Sequence, residues 1–172
     1  MSARKSSLKP EAVLLSAAAF EARVKAHEAF VLSRPGGARG LMRYVVARGL
    51  RCDRRRLSDV DFTGADLTAT TFVGADLSRA SLYCANLTRC DLRAATLFRA
   101  DLRGGTYAGA NLAGANLDQA DMRAAVLCMA DDQLGLKWVG PTANANGASL
   151  NGVDLSESQS QAVDFTNCSM KG

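Results

Sequence analysis

From Leu57 to Leu127 a large apolar residue returns at every fifth position: Leu57, Phe62, Leu67, Phe72, Leu77, Leu82, Leu87, Leu92, Leu97, Leu102, Tyr107, Leu112, Leu117, Met122 and Leu127. Two positions ahead of most of them stands Ala or another small residue, as at Ala65, Ala75, Cys90 and Ala110, and between the two stands mostly Asp or Asn. A period of five is neither the 3.6 of a helix nor the 2 of a strand. Within one unit the small and the large residue are two apart, so in an extended piece both face one side and the Asp or Asn faces the other. The next two positions are small, polar or Gly, as in Thr63-Gly64 and Ala113-Gly114, which suits a bend. The pattern predicts a solenoid whose interior is lined by one large and one small side chain per unit.

The repeat breaks after Leu127, where Asp132 and Lys137 fall on expected centres, and it returns out of phase at Leu150, Leu155, Phe165 and Met170, with a hydroxyl at Ser160. This predicts the main repeat block over 57–129, an extruded loop over 130–146 containing Trp138, and final coils over 147–172. Five to six coils would make a rod roughly 25–30 Å long. Ahead of the repeats, Val13, Ala17, Phe20, Val24 and Val31 share one face of a helix opened by Pro10 and ended by Arg34-Pro35-Gly36-Gly37. Residues 1–40 are thus expected as a basic helix and a Pro/Gly linker, and 41–56 as a lead-in to the first coil. The helix is expected to cover the open N-terminal edge of the solenoid.

Composition narrows the function classes. Of 172 residues 48% are apolar but only 6% aromatic, so the core must be built from Leu, Ala and Val. The single histidine, His27, excludes a His-rich metal site and catalysis built on several histidines. It is expected on the polar or flanking side of the helix. No apolar run approaches the about 18 to 20 residues that a membrane span needs. Five isolated cysteines (Cys52, Cys84, Cys90, Cys128, Cys168) without a CxxC pair fit reduced thiols and a cytoplasmic location. Arg4, Lys5 and Lys9 ahead of Ala12–Phe20 superficially look like a secretory signal, but Pro10-Glu11 interrupts it. Charge is uneven: Lys/Arg against Asp/Glu stands at 13 to 4 in residues 1–56, 6 to 8 in 57–127 and 2 to 5 in 128–172.

Units such as Ala65-Asp66-Leu67 and Ala115-Asn116-Leu117 fit the pattern A(D/N)LXX, and over residues 50–172 the chain resembles the pentapeptide-repeat family. The resemblance implies an all-β solenoid, a right-handed quadrilateral β-helix with four pentapeptides per coil and the central Leu or Phe inward. It also implies a bacterial protein without catalytic activity that serves as a protein-interaction module or scaffold, and a homodimer joined through the C-terminal coil. Some members mimic duplex DNA and bind type II topoisomerases such as DNA gyrase. Mimicry needs an acidic rod near one charge per 1.7 Å, and the interleaved arginines and basic head of this chain disfavour it.

The regular outward Asp residues are solvated rungs rather than acid–base groups, because a carboxylate needs burial or a close partner to work near neutral pH. Cys90 and Cys168 occupy the small inward position and Cys84 and Cys128 point outward, so no metal set converges. No enzyme activity, metal or cofactor is expected. Residues twenty apart should stack, which places Arg79 under Arg99, Tyr83 under Arg103 and Arg103 under Arg123, with Phe98 beside Arg99. Tyr and Arg are enriched at interface hot spots, so Arg79, Tyr83, Phe98, Arg99, Arg103 and Arg123 form a candidate docking patch for an unidentified protein partner. Trp138 is a candidate loop contact. Arg51, Arg54, Arg55 and Arg56 form a candidate anion contact, which leaves nucleic acid or anionic membrane as an alternative partner.

Overall fold

Residues 11–127, 142–160 and 163–171 are described in the computed structural model; the expectations at Arg4, Lys5, Lys9, Pro10, Cys128 and Trp138 lie outside them. Each pentapeptide makes the same move. The residue before the centre forms a parallel bridge to the residue 20 positions on, as in Asp61↔Ser81, Asp66↔Asn86, Thr71↔Asp91 and Asp76↔Thr96. Four consecutive units therefore complete one coil, and the bridges form four ladders, one on each side of a four-sided β-helix. The centre amide donates to the coil above (Leu92 to Asn111 O at 2.7 Å), and the ladder amide donates to the coil below (Asp91 to Thr70 O at 3.2 Å).

The second residue after each centre closes the corner in the left-handed region, whether Gly (Gly74, φ 63°) or not (Ala94, φ 53°; Arg99, φ 57°). The ladder Asp or Asn supports that corner by accepting from the amide two residues on. Asn86 Oδ1 takes the Thr88 amide at 3.1 Å, and Asn111 Oδ1 takes the Ala113 amide at 3.1 Å. This local acceptor role explains the Asp/Asn preference of the position.

Every centre from Met42 to Leu127 is buried, and so are the alanines two residues before. Where the small position is not Ala, a local adjustment keeps the interior satisfied. Thr70 Oγ1 donates to Ala47 O at 2.8 Å and Cys90 Sγ to Leu67 O at 3.0 Å. At Tyr107 the ring replaces Leu and the residue two before is Gly105, where a Cβ would sit 2.8 Å from the Tyr107 ring.

Three boundaries differ from the sequence expectation. Residues 41–56 are coil, not a lead-in: Leu41 bridges Asp61, and Met42, Ala47 and Cys52 fill the interior. Met, Ala and Cys at the centres hid this coil from a search for Leu and Phe. Beyond the break the ladder resumes at Asn144, bridged to Asn111 across 33 residues rather than 20, with Ala145 as a buried centre. The coil is thus re-entered inside the segment expected as a loop, because an alanine centre carries no signal. The third difference is at the N-terminus. Helix α1 spans Ala17–Val31, with Ser16 as its cap, accepting the Ala19 amide at 3.1 Å. Val13–Leu14 is instead strand β1, paired in parallel with Val45–Val46 (β2), so Val13 is not on the helix face.

Helix α1 lies against the first coil and buries Phe20, Val24 and His27. Phe20 stacks on Phe62 with centroids 6.3 Å apart. Arg55 occupies a small inward position of the first coil, where α1 rather than another coil lies across it, and its guanidinium is paired with Glu21 and, at 2.8 Å, with Glu28. His27 is fully buried, not on the polar side expected for it, because the turn through Pro35 and Gly37 folds Gly40 back onto the helix.

Candidate interaction surface

The four edges of the rod carry the residues that follow each centre. Two neighbouring edges flank the face bearing Ser81, Asp101, Asp121 and Asp154, and they hold all six residues of the candidate patch. On one edge Arg79 reaches down to Asp59 in a bidentate pair (2.8 and 2.6 Å), while Arg99 covers the Phe98 ring at 5.0 Å and donates to Gln119 at 2.6 Å. On the other, Arg103 covers the Tyr83 ring at 5.4 Å. Tyr83 is 44% exposed, whereas Phe98 is half-buried.

Arg103 and Arg123 also build an ion-pair ladder. Each grips the Asp two residues before it through Nε and Nη2, Arg103 on Asp101 (2.8 and 2.7 Å) and Arg123 on Asp121 (2.9 and 2.6 Å). Each also lies 3.6 Å from the Asp of the next coil, Asp121 and Asp154 respectively. The same grip recurs at Asp91-Leu92-Arg93 on a different edge. Hydrogen bonding from Arg93 holds the Asp91 carboxyl below its ordinary pKa, and Arg123 does the same to Asp121. This Asp-x-Arg fork was readable in the sequence as a triplet and was missed there. Along this second edge, Tyr83, Cys84, Arg103, Gly104, Arg123, Ala124 and Glu157 line an open groove of about 300 Å³. Its floor is low because Gly104 and Ala124 follow Cys84 up the same edge.

The candidate anion cluster is divided. Arg55 is committed to Glu21 and Glu28 inside the cap, and Arg51 lies 3.2 Å from Asp53. Arg54 and Arg56 are exposed and have no side-chain ion pair among the described residues. Trp138 lies outside those residues. Cys52 and Cys90 are buried, and burial pushes each thiol up to about 12; Cys84 is exposed. Among the described residues no three His, Cys, Asp or Glu side chains come together as a metal set, and no helix is long and apolar enough to cross a membrane.

The family model for pentapeptide repeats matches in 8 copies over residues 56–93 and 95–131, the stretch in which every fifth residue is a buried centre. The chain belongs to the pentapeptide-repeat family. Among solved structures this pentapeptide-repeat protein is similar to a pentapeptide repeat protein (Rfr23) from the cyanobacterium Cyanothece 51142, at 25% identity over 73% of this chain and 83% of that chain, with a TM-score of 0.46. A pentapeptide repeat protein from the Arabidopsis thaliana thylakoid lumen is 30% identical over 64% of this chain and 68% of that one, with a TM-score of 0.37. QnrB1, a plasmid-mediated fluoroquinolone resistance protein, is 20% identical over 72% and 67%, with a TM-score of 0.43. No curated protein sequence matches significantly.

Proposed function

We propose that this pentapeptide-repeat protein is a non-catalytic, right-handed β-helical scaffold that binds a protein partner in the cytoplasm through the Arg/aromatic edges beside the Asp101–Asp121 face. The observation that carries this reading is the pair of stacked edges, where Arg103 over Tyr83 and Arg99 over Phe98 hold rigid, partly apolar surfaces outward on a fixed backbone. Side chains pre-ordered in this way lose little entropy on binding. The same geometry argues against mimicry of DNA, since Asp101 and Asp121 are already neutralised by Arg103 and Arg123. The free thiols of Cys52, Cys84, Cys90 and Cys168 are in keeping with a reducing compartment. The last described coil, with Leu155 and Phe165 half-buried and Met170 54% exposed, supports self-association through the C-terminal coil.

The test is affinity capture from a bacterial lysate with the intact chain and with the double variants Phe98→Ala/Arg99→Glu and Tyr83→Ala/Arg103→Glu. A protein retained by the intact chain at moderate salt and lost by either variant is the expected result. Equal retention by all three chains would rule out the edges. Arg54 and Arg56, exposed and without a side-chain ion pair among the described residues, favour a second reading, binding of a nucleic acid or anionic membrane, which predicts retention that collapses as salt rises.

A further inference from the structure

The segment Ala26–Gly40 plays no part in the proposed docking edges, yet it is built with unusual economy around His27. His27 is fully buried between α1 and the first coil. Its Nδ1 accepts the backbone amide of Gly40 at 2.9 Å, and its Nε2 lies 3.0 Å from the carbonyl of Ser58. A backbone N–H can only donate, and a carbonyl can only accept. The Gly40 contact therefore requires a bare Nδ1, and the proton must sit on Nε2 facing Ser58. Rotating the ring by 180° removes both contacts, so the neutral Nε2–H form is the one form that fits.

The connection passes close to the ring. A Cβ on Gly40 would lie 3.2 Å from His27 Cγ, and one on Gly37 would lie 2.4 Å from the Phe30 amide nitrogen. The two glycines thus let the connection lie flat on α1, fixed also by Ala38 N to Ala26 O at 3.0 Å. Through Ser58 the imidazole ties the helix to the coil, and through Gly40 to the strand entry at Leu41.

We propose that His27 is an acid-released latch: uptake of a proton at Nδ1 sets N–H against the Gly40 N–H, breaks that bond and frees α1 from the first coil. The charged groups acting on the ring are Asp59 from the first coil, which favours the charged form, and Arg39 from the connection, which opposes it. Asp59 is itself engaged by Arg79, and the other cap charges, Glu21, Glu28 and Arg55, are paired with one another. Burial is the dominant influence, and it lowers the His27 pKa from its ordinary 6.5. A pKa lower in the closed cap than in the open one means that closure is favoured above pH 6.5 and is progressively lost as pH falls from 6.5 toward the lowered value. The loss begins at pH 6.5, where Asp59, Asp91 and Asp121, all held below 3.8, are still ionised. Release would bare the edge of Val45–Val46 now covered by β1, and an open β edge is a template for pairing with another chain.

His27 is the sole histidine, so its imidazole C–H signals can be followed by NMR in the intact chain without assignment ambiguity. The experiment combines that titration with hydrogen exchange of the Gly40 and Ala38 amides, corrected for intrinsic rates, using Leu92 and Leu97 as internal references. The latch predicts that opening at Gly40 rises as pH drops below 6.5, by up to about tenfold per pH unit, while Leu92 and Leu97 do not change. His27→Gln, whose amide can accept from Gly40 and donate to Ser58 at any pH, should lose the acid response. Unchanged Gly40 protection in the intact chain down to about pH 5, or an acid response that survives in a folded His27→Gln, would overturn the proposal. Should the variant not fold, the intact chain decides alone.

Discussion

Asn86 Oδ1 accepts from both the amide and the hydroxyl of Thr88, at 3.1 and 2.7 Å, and so fixes a corner whose next residue, Arg89, is left-handed at φ 58°. Leu92, one unit on, has no polar role and is fully buried. The two positions should therefore respond differently to truncation. Asn86→Ala removes local hydrogen bonds at a half-exposed site and should cost about 1 kcal/mol; Asn86→Asp, which keeps the acceptor, should cost less. Leu92→Ala opens a cavity that neighbouring coils cannot close and should cost about 2–5 kcal/mol. Urea denaturation of the three variants checks the order, and an Asn86→Ala cost equal to that of Leu92→Ala would mean that the corner is not held as described. At this scale the inward Leu and the outward Asp were readable from spacing alone. The corner acceptor role was not, because it depends on a backbone turn that spacing does not describe.

At the scale of elements, α1 is held by a few specific contacts rather than by a broad apolar stripe. Phe20 and Val24 supply its buried apolar surface, and Arg55 supplies the ion pairs to Glu21 and Glu28. Arg55 is 28% exposed, so solvent only partly screens the cluster. Arg55→Ala should lower stability by about 1 kcal/mol, and the loss should shrink in high salt. A loss that does not change with salt would indicate that the arginine acts by packing its stem. The helix was legible in the sequence, but its start was not. Val13 matches the helical period, yet it pairs with Val45, since the first coil offers an open parallel edge at that point. His27 sat at the same spacing as the buried Phe20 and Val24; its polarity argued for solvent, whereas Gly40 and Ser58 satisfy both ring nitrogens.

For the whole molecule, the surface readings depend on the 20-residue register, and those that reach Asp154 depend on the ladders being taken up again after the insertion. The register places Tyr83 under Arg103 and brings Asp154 to Arg123 although 31 positions separate them in the chain. The repeat block was legible because Leu and Phe mark its centres. The coil after the break was legible only in part, since Ala145 is a silent centre. The ladder Arg56, Asp76, Thr96, Asn116, Ser149, Ser169 runs the length of one face and crosses the insertion once. Spin labels on Arg56→Cys and Ser169→Cys, with the other cysteines replaced, measure that ladder by pulsed electron resonance. Five rungs of strand spacing predict one narrow distance of about 24 Å. A broad or much longer distribution would show that the coils beyond the insertion do not stack on those before it, and would contradict the account of a single continuous rod.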